Sequence, residues 1–121
     1  MSESKTMKQV NEFFNTMGAK RNKEVVCASG FSMSVQAHDG AYCTPSSSGA
    51  NKYTHVEVGF PNKKEPLLMD WCDEPGNPTA TVYGYVPVQV VTNVLAKHGG
   101  IVEGEVPRGV APIPAHFSVD N

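Results

Sequence analysis

Apolar positions along this chain change their spacing several times, and each change marks an element. Met7, Val10, Phe13, Phe14 and Met17 recur at helical spacing. Thr6 and Gln9 have the form of a capping box, and Gly18 stands where a left-handed C-cap belongs. Residues 6–17 are therefore predicted as an amphipathic helix. From Glu24 the spacing becomes alternation. Val25, Val26 and Cys27 lead to a Ser29-Gly30 turn, after which Phe31, Met33, Val35 and Ala37 alternate with Ser32, Ser34 and Gln36. That pattern predicts a hairpin of residues 24–28 and 31–37 with one apolar face.

Further along, His38-Asp39-Gly40 reads as a turn, Ala41–Thr44 as a short strand and PSSSGAN (45–51) as a loop. In residues 53–60, Val56, Val58 and Phe60 share one face of a strand, with Tyr53, His55 and Glu57 on the other. LLMDWC (67–72) is apolar but too short to assign, and DEPGNP (73–78) is a turn cluster. Residues 79–86, which contain TVYGYV, predict a third strand with Tyr83 and Tyr85 on one face. Pro87 suits a first helical position, Val88, Val91, Val94 and Leu95 build an apolar helical face, and Gly99-Gly100 ends it. So many valines make helix propensity poor, and packing must hold this element. Residues 101–106 predict an edge strand, followed by an extended tail that Val110, Ile113 and Phe117 would dock. The expected fold is α+β: an antiparallel sheet of about four to six strands, an N-terminal helix and a second helix at about 87–98. Residues 1–121 are expected to form a single domain, with 1–5 and about 107–121 as extended or flexible ends.

Composition narrows the partners. Nine prolines and eleven glycines suit short strands joined by structured loops. Ten Lys+Arg against twelve Asp+Glu give a net charge of −2, without the basic face that duplex nucleic acid demands. A nucleotide-sized anion stays compatible, because one or two cations plus backbone N–H groups suffice for it. No apolar run approaches a membrane span, and the N-terminus MSESKTMKQV lacks a signal-peptide core, so the cytoplasm is the expected location. Cys27, Cys43 and Cys72 are widely spaced with no C-x-x-C, which fits free thiols.

Three chemistries come into question. His38, Asp39, Cys43, His55 and Cys72 offer metal-ligating atoms, but no tight ligand pair of the zinc-site kind occurs, so no metal or other cofactor is expected. Nucleophilic catalysis has no G-x-S-x-G or phosphate loop behind it, and Cys27 and Cys72 sit in apolar surroundings. A non-enzyme is therefore expected, with a small cysteine- or metal-dependent enzyme as one alternative. Recognition is better provided for. Tyr42, Tyr53, Trp71, Tyr83 and Tyr85 are many amphipathic aromatics, with Trp71 read as core. Tyrosines on polar strand faces near His55, Gln36 and Asn93 can stack on a base and hydrogen-bond with their hydroxyls. Arg108, one of two arginines, is either a bidentate phosphate donor or a solvated loop cation.

FSMSVQA with Tyr42-Cys43, YTHVEVGFP, TVYGYVPVQVV and KHGGIV, taken in order, resemble a family of small phage and prophage proteins, across most of residues 25–102. The length, the α+β layout and parts of the second half resemble the Thoeris anti-defence sponges. That resemblance implies a phage anti-defence protein acting in the host cytoplasm as a homo-oligomer. Such a protein binds and sequesters a nucleotide immune signal, a cyclic ADP-ribose isomer or cyclic oligonucleotide, without catalysis. It also implies that Tyr83 stacks on the ligand, Asn93 reads an edge or ribose, and Arg108 meets phosphate, with Tyr85 and His55 beside them. This chain departs from the pattern in lacking a second C-terminal arginine. The remaining alternative is a phage inhibitor that binds a host defence protein directly, as anti-CRISPR proteins do.

Overall fold

Alternating segments collapse onto one another through their apolar faces, and five of them pair here into one antiparallel sheet. The computed structural model describes residues 21–115; the predicted helix 6–17 and the docking side chain Phe117 lie outside the described residues. The strands are β1 (Val25–Cys27), β2 (Ser32–Gln36), β3 (His55–Gly59), β4 (Val82–Pro87) and β5 (Ile101–Glu103). They lie in the order β4-β3-β2-β1-β5, every neighbouring pair antiparallel. A 3-10 helix, Pro66–Trp71, precedes β4, and among the described residues an α-helix, α1 (Val88–Lys97), carries the chain from the β4 edge to the β5 edge. The fold is the expected α+β.

The core follows the alternation. Val25, Cys27, Phe31, Met33, Val35, Val56 and Val58 are all buried from the sheet, and Val91, Val94 and Leu95 of α1 meet them with Leu68 of the 3-10 helix. Pro87 ends β4 and stands at the N-cap rather than inside the helix. At the other end Gly100 N donates to Leu95 O and Gly99 N to Ala96 O, a Schellman closure with both glycines at φ +87°. Neither sheet edge is left open. Cys72 bridges to Tyr83 and Asp73 N donates to Val82 O on one side, while Ile113 and Ala115 pair with Ile101 on the other.

In residues 53–60 two side chains sit opposite to the alternation. Tyr53, expected on the polar face, is 4% exposed and its hydroxyl donates to Ser47 O at 2.6 Å. Phe60, expected among the inward residues, is 51% exposed, because its backbone turns to φ +51° just beyond β3. Residues 107–115 run against Tyr53, α1 and β5. Arg108 O accepts from Tyr53 N at 2.9 Å, Ala111 N donates to Thr92 Oγ1, and Val106 and Val110 are buried.

One carboxylate ties three elements together. Glu65, 1% exposed, caps the 3-10 helix by accepting from Leu67 N at 2.8 Å. It pairs with Lys97 Nζ at 2.8 Å and with His98 Nε2 at 2.6 Å, both at the end of α1. The His98 ring stacks on Phe31 at 4.2 Å, and its Nδ1 meets Ser29 Oγ in the β1–β2 turn at 2.9 Å. Burial by itself pushes the Glu65 carboxyl up; hydrogen bonds from Lys97, the Leu67 amide and His98 outweigh it and hold it below the ordinary glutamate range.

A group that is lowered in the fold stabilises above its unfolded pKa and loses that contribution as pH falls through the folded value. Glu65→Gln is expected to cost about 1–3 kcal/mol at pH 7. In urea titrations across pH the gap to the unaltered protein should close below roughly pH 4; a gap constant down to pH 2.5 would contradict the role given to the charge. Gly109 makes a second test. Its φ is +111° and a Cβ there would sit 2.2 Å from Tyr53 O, so Gly109→Ala should cost about 3 kcal/mol in the same titration.

Candidate functional site

The site begins with an irregularity in β4. Val56 pairs with Val86 and Val58 with Tyr83, so Gly84 and Tyr85 together stand opposite the single residue Glu57. This is a β-bulge. Tyr85 takes a left-handed backbone, φ +55°, which is uncommon for a residue with a bulky side chain. The extra residue inverts the parity of the strand between its two tyrosines. Tyr83 points inward and is fully buried, while Tyr85 points outward and is 50% exposed.

The expectation that Tyr83 and Tyr85 share a face is thereby corrected, and so is the stacking role given to Tyr83. Its ring is enclosed by the core and its hydroxyl donates to Pro78 O. Burial, with the Cys72 thiol beside it, pushes the phenol far above its ordinary pKa. No face of that ring is left for a ligand.

Tyr85 instead finds a partner that the residue order conceals. Tyr42 crosses the bulge: its carbonyl accepts from Tyr85 N at 3.0 Å, its amide donates to Glu57 Oε1 at 3.4 Å, and its Cβ lies over Gly84. A Cβ on Gly84 would come within 3.2 Å of it, so glycine is what lets Tyr42 lie this close. The two exposed rings stand 6.0 Å apart at 38°. With Asp70, Trp71, Cys72 and Asp73 from the end of the 3-10 helix and just beyond it, and with Val82 and Gly84, they line an open cleft of about 560 Å³. Its walls are aromatic, and the charges upon them are acidic.

The other expected residues do not converge there. Asn93 is exposed on α1, where its Oδ1 accepts from Gln89 Nε2. His55 is half-buried on β3, with its Nδ1 against Thr54 Oγ1 at 2.8 Å. Arg108 is half-buried on the docked segment beside Tyr53. None of the three lines the Tyr42–Tyr85 cleft. Trp71, read as core, is half-buried and forms a wall of it.

Nucleophilic chemistry has one arrangement worth weighing. Ser29 Oγ, His98 and Glu65 are linked at 2.9 and 2.6 Å, in the order of a nucleophile, a base and an orienting acid. Such a relay needs amides aimed at a developing oxyanion. Here Ser29 N donates to His98 O, Gly30 N to Cys27 O, and Phe31 N to Ser29 Oγ itself. The group ties a hairpin to a helix, and these three neighbouring amides are already engaged. The thiols are no better placed. Burial pushes Cys27 up; burial, then the Glu57 and Asp39 charges, push Cys43 up, although a hydrogen bond at His38 O works the other way. Cys43 Sγ points at the carbonyls of His38 and Pro45 rather than at an imidazole.

Among the described residues no three His, Cys, Asp or Glu side chains are grouped to hold a metal ion, and no helix is long and apolar enough to cross a membrane. The chain matches no protein-family model, no curated protein and no solved structure.

Proposed function

We propose that this protein is a non-catalytic binder which sequesters a small nucleotide signal, with Tyr85 and Tyr42 stacking on its ring. The observation that carries this reading is the bulge. A tyrosine held at φ +55° with half its surface in water occupies a backbone conformation that costs on the order of 1–3 kcal/mol. The Tyr85 ring itself gains no core burial from this conformation, because it stands outside the core. What the conformation achieves is placement: it sets an exposed ring beside Tyr42 at the mouth of a cleft whose third aromatic is Trp71. Stacking on a nucleobase contributes about 1–3 kcal/mol per base and needs rings presented in this way.

The resemblance to anti-defence sponges of phages supplies the ligand class for this reading: a cyclic ADP-ribose isomer or a cyclic oligonucleotide. It also supplies the setting, a homo-oligomer in the host cytoplasm. The stacking residue differs from the one that the resemblance implies. Tyr85 takes that role, with Tyr42 opposite, and Tyr83 holds the strand beneath them.

Thermal unfolding with a panel of cyclic ADP-ribose isomers and cyclic oligonucleotides tests the reading. A ligand present at a hundred times its Kd stabilises by about 2.7 kcal/mol, a rise of several degrees in Tm. Tyr85→Gly should fold with a stability within about 1 kcal/mol of the original, since glycine adopts a positive φ without strain. The same variant should bind at least about tenfold more weakly. Absence of any shift across the panel, or undiminished binding by Tyr85→Gly, rejects the assignment.

A further inference from the structure

The cleft's charges say which end of such a ligand it receives. Asp70 and Asp73 line it, both exposed, and among the described residues no cation forms an ion pair with either. Glu57, which is not a lining residue, places a further carboxylate at the Tyr42 amide. No lysine, arginine or histidine is among the cleft's lining residues. Four of the cleft's backbone amides are already engaged, that of Tyr42 by Glu57 Oε1. Cys72 N donates to Met69 O, Asp73 N to Val82 O and Tyr85 N to Tyr42 O. An anion site is built from cations or unengaged N–H groups, and the cleft's lining side chains include no cation. The aromatic faces carry negative electrostatic potential, which favours an electron-poor or positively charged ring over them. Carboxylates, for their part, accept from hydroxyl and amino donors.

We infer that the cleft selects a donor-bearing or cationic ring and its sugar, and turns phosphate away. The ligand enters by its nucleoside end, with the phosphate held outside the carboxylates. Asp70 and Asp73 are then the residues that set this preference: each accepts from ribose hydroxyls or a base N–H and repels an anion. This rests on the nucleotide-binding reading and fixes the polarity of binding within it.

Three probes separate the terms: adenosine, 1-methyladenosine, whose ring is positively charged near neutral pH, and AMP. Binding is followed at pH 7 and low salt by calorimetry and by the fluorescence of Trp71, the chain's one tryptophan. The expected order is 1-methyladenosine tightest, then adenosine, then AMP, with neighbouring probes about three- to tenfold apart. The double variant D70N/D73N, altered only at exposed positions, should fold normally by circular dichroism and bring the three affinities together. AMP binding as tightly as adenosine overturns the inference, and so does an order that survives in the double variant. If none of the three probes binds while the cyclic panel still raises Tm, the inference fails and the sequestration reading stands. If both fail, the two fall together.

Discussion

A single buried carboxylate fixes where the cleft can be. Glu65 accepts from the first turn of the 3-10 helix and from the last residues of α1, and through His98 it reaches the β1–β2 turn. An apolar residue of similar size could match it in stability, since buried ion pairs seldom add net free energy. What an apolar residue cannot supply is direction. Each of these bonds has an angle and a length, so the 3-10 helix has one position relative to α1 and the hairpin. Trp71, Asp70 and Asp73 follow within that short helix or just beyond it, and they form one wall of the cleft.

The opposite wall depends on a different constraint, the count of residues in β4. Were its pairing regular, Tyr83 and Tyr85 would lie on one face, and that face would be the core. Both rings would then fill the interior, with Val86 displaced to solvent. The bulge avoids this by spending one residue. Val86 returns to the buried face, Tyr83 remains on it, and Tyr85 is turned out beside Tyr42. Bulges raise local twist and re-aim side chains, which is why they recur beside binding sites. The edge of the sheet is protected at the same place, because the residues that build the cleft also cap β4.

Most of the fold was legible in the order of residues. Phe31, Met33 and Val35 alternate cleanly and are buried as the pattern requires, and the valine face of α1 covers them. The failures share a cause. Periodicity assumes regular backbone, so it misplaces Phe60 and Tyr85, the two non-glycine residues with positive φ in the described chain. Tyr53 was misplaced because a polar tip does not require an exposed ring when a carbonyl such as that of Ser47 is within reach. Gly84 inside TVYGYV was the available signal, since a glycine within a strand marks a bulge or a close approach of another chain segment, and here it does both. Glu65 gave no warning at all, because its ion-pair partners Lys97 and His98 lie more than thirty residues away.

The site residues expected from chemistry alone were scattered by the same physics. Arg108 is drawn to Tyr53 by its own backbone and by the closely packed Gly109 that follows it, away from the aromatic pair. Asn93 engages its neighbour Gln89 one turn earlier on α1. A phosphate contact built on Arg108 and a stacking contact built on Tyr85 thus belong to different parts of the surface. On the proposed reading the cleft derives its affinity from flat contact and from donors offered to its carboxylates. In the proposed reading such a surface holds a ring by area and orients it by charge.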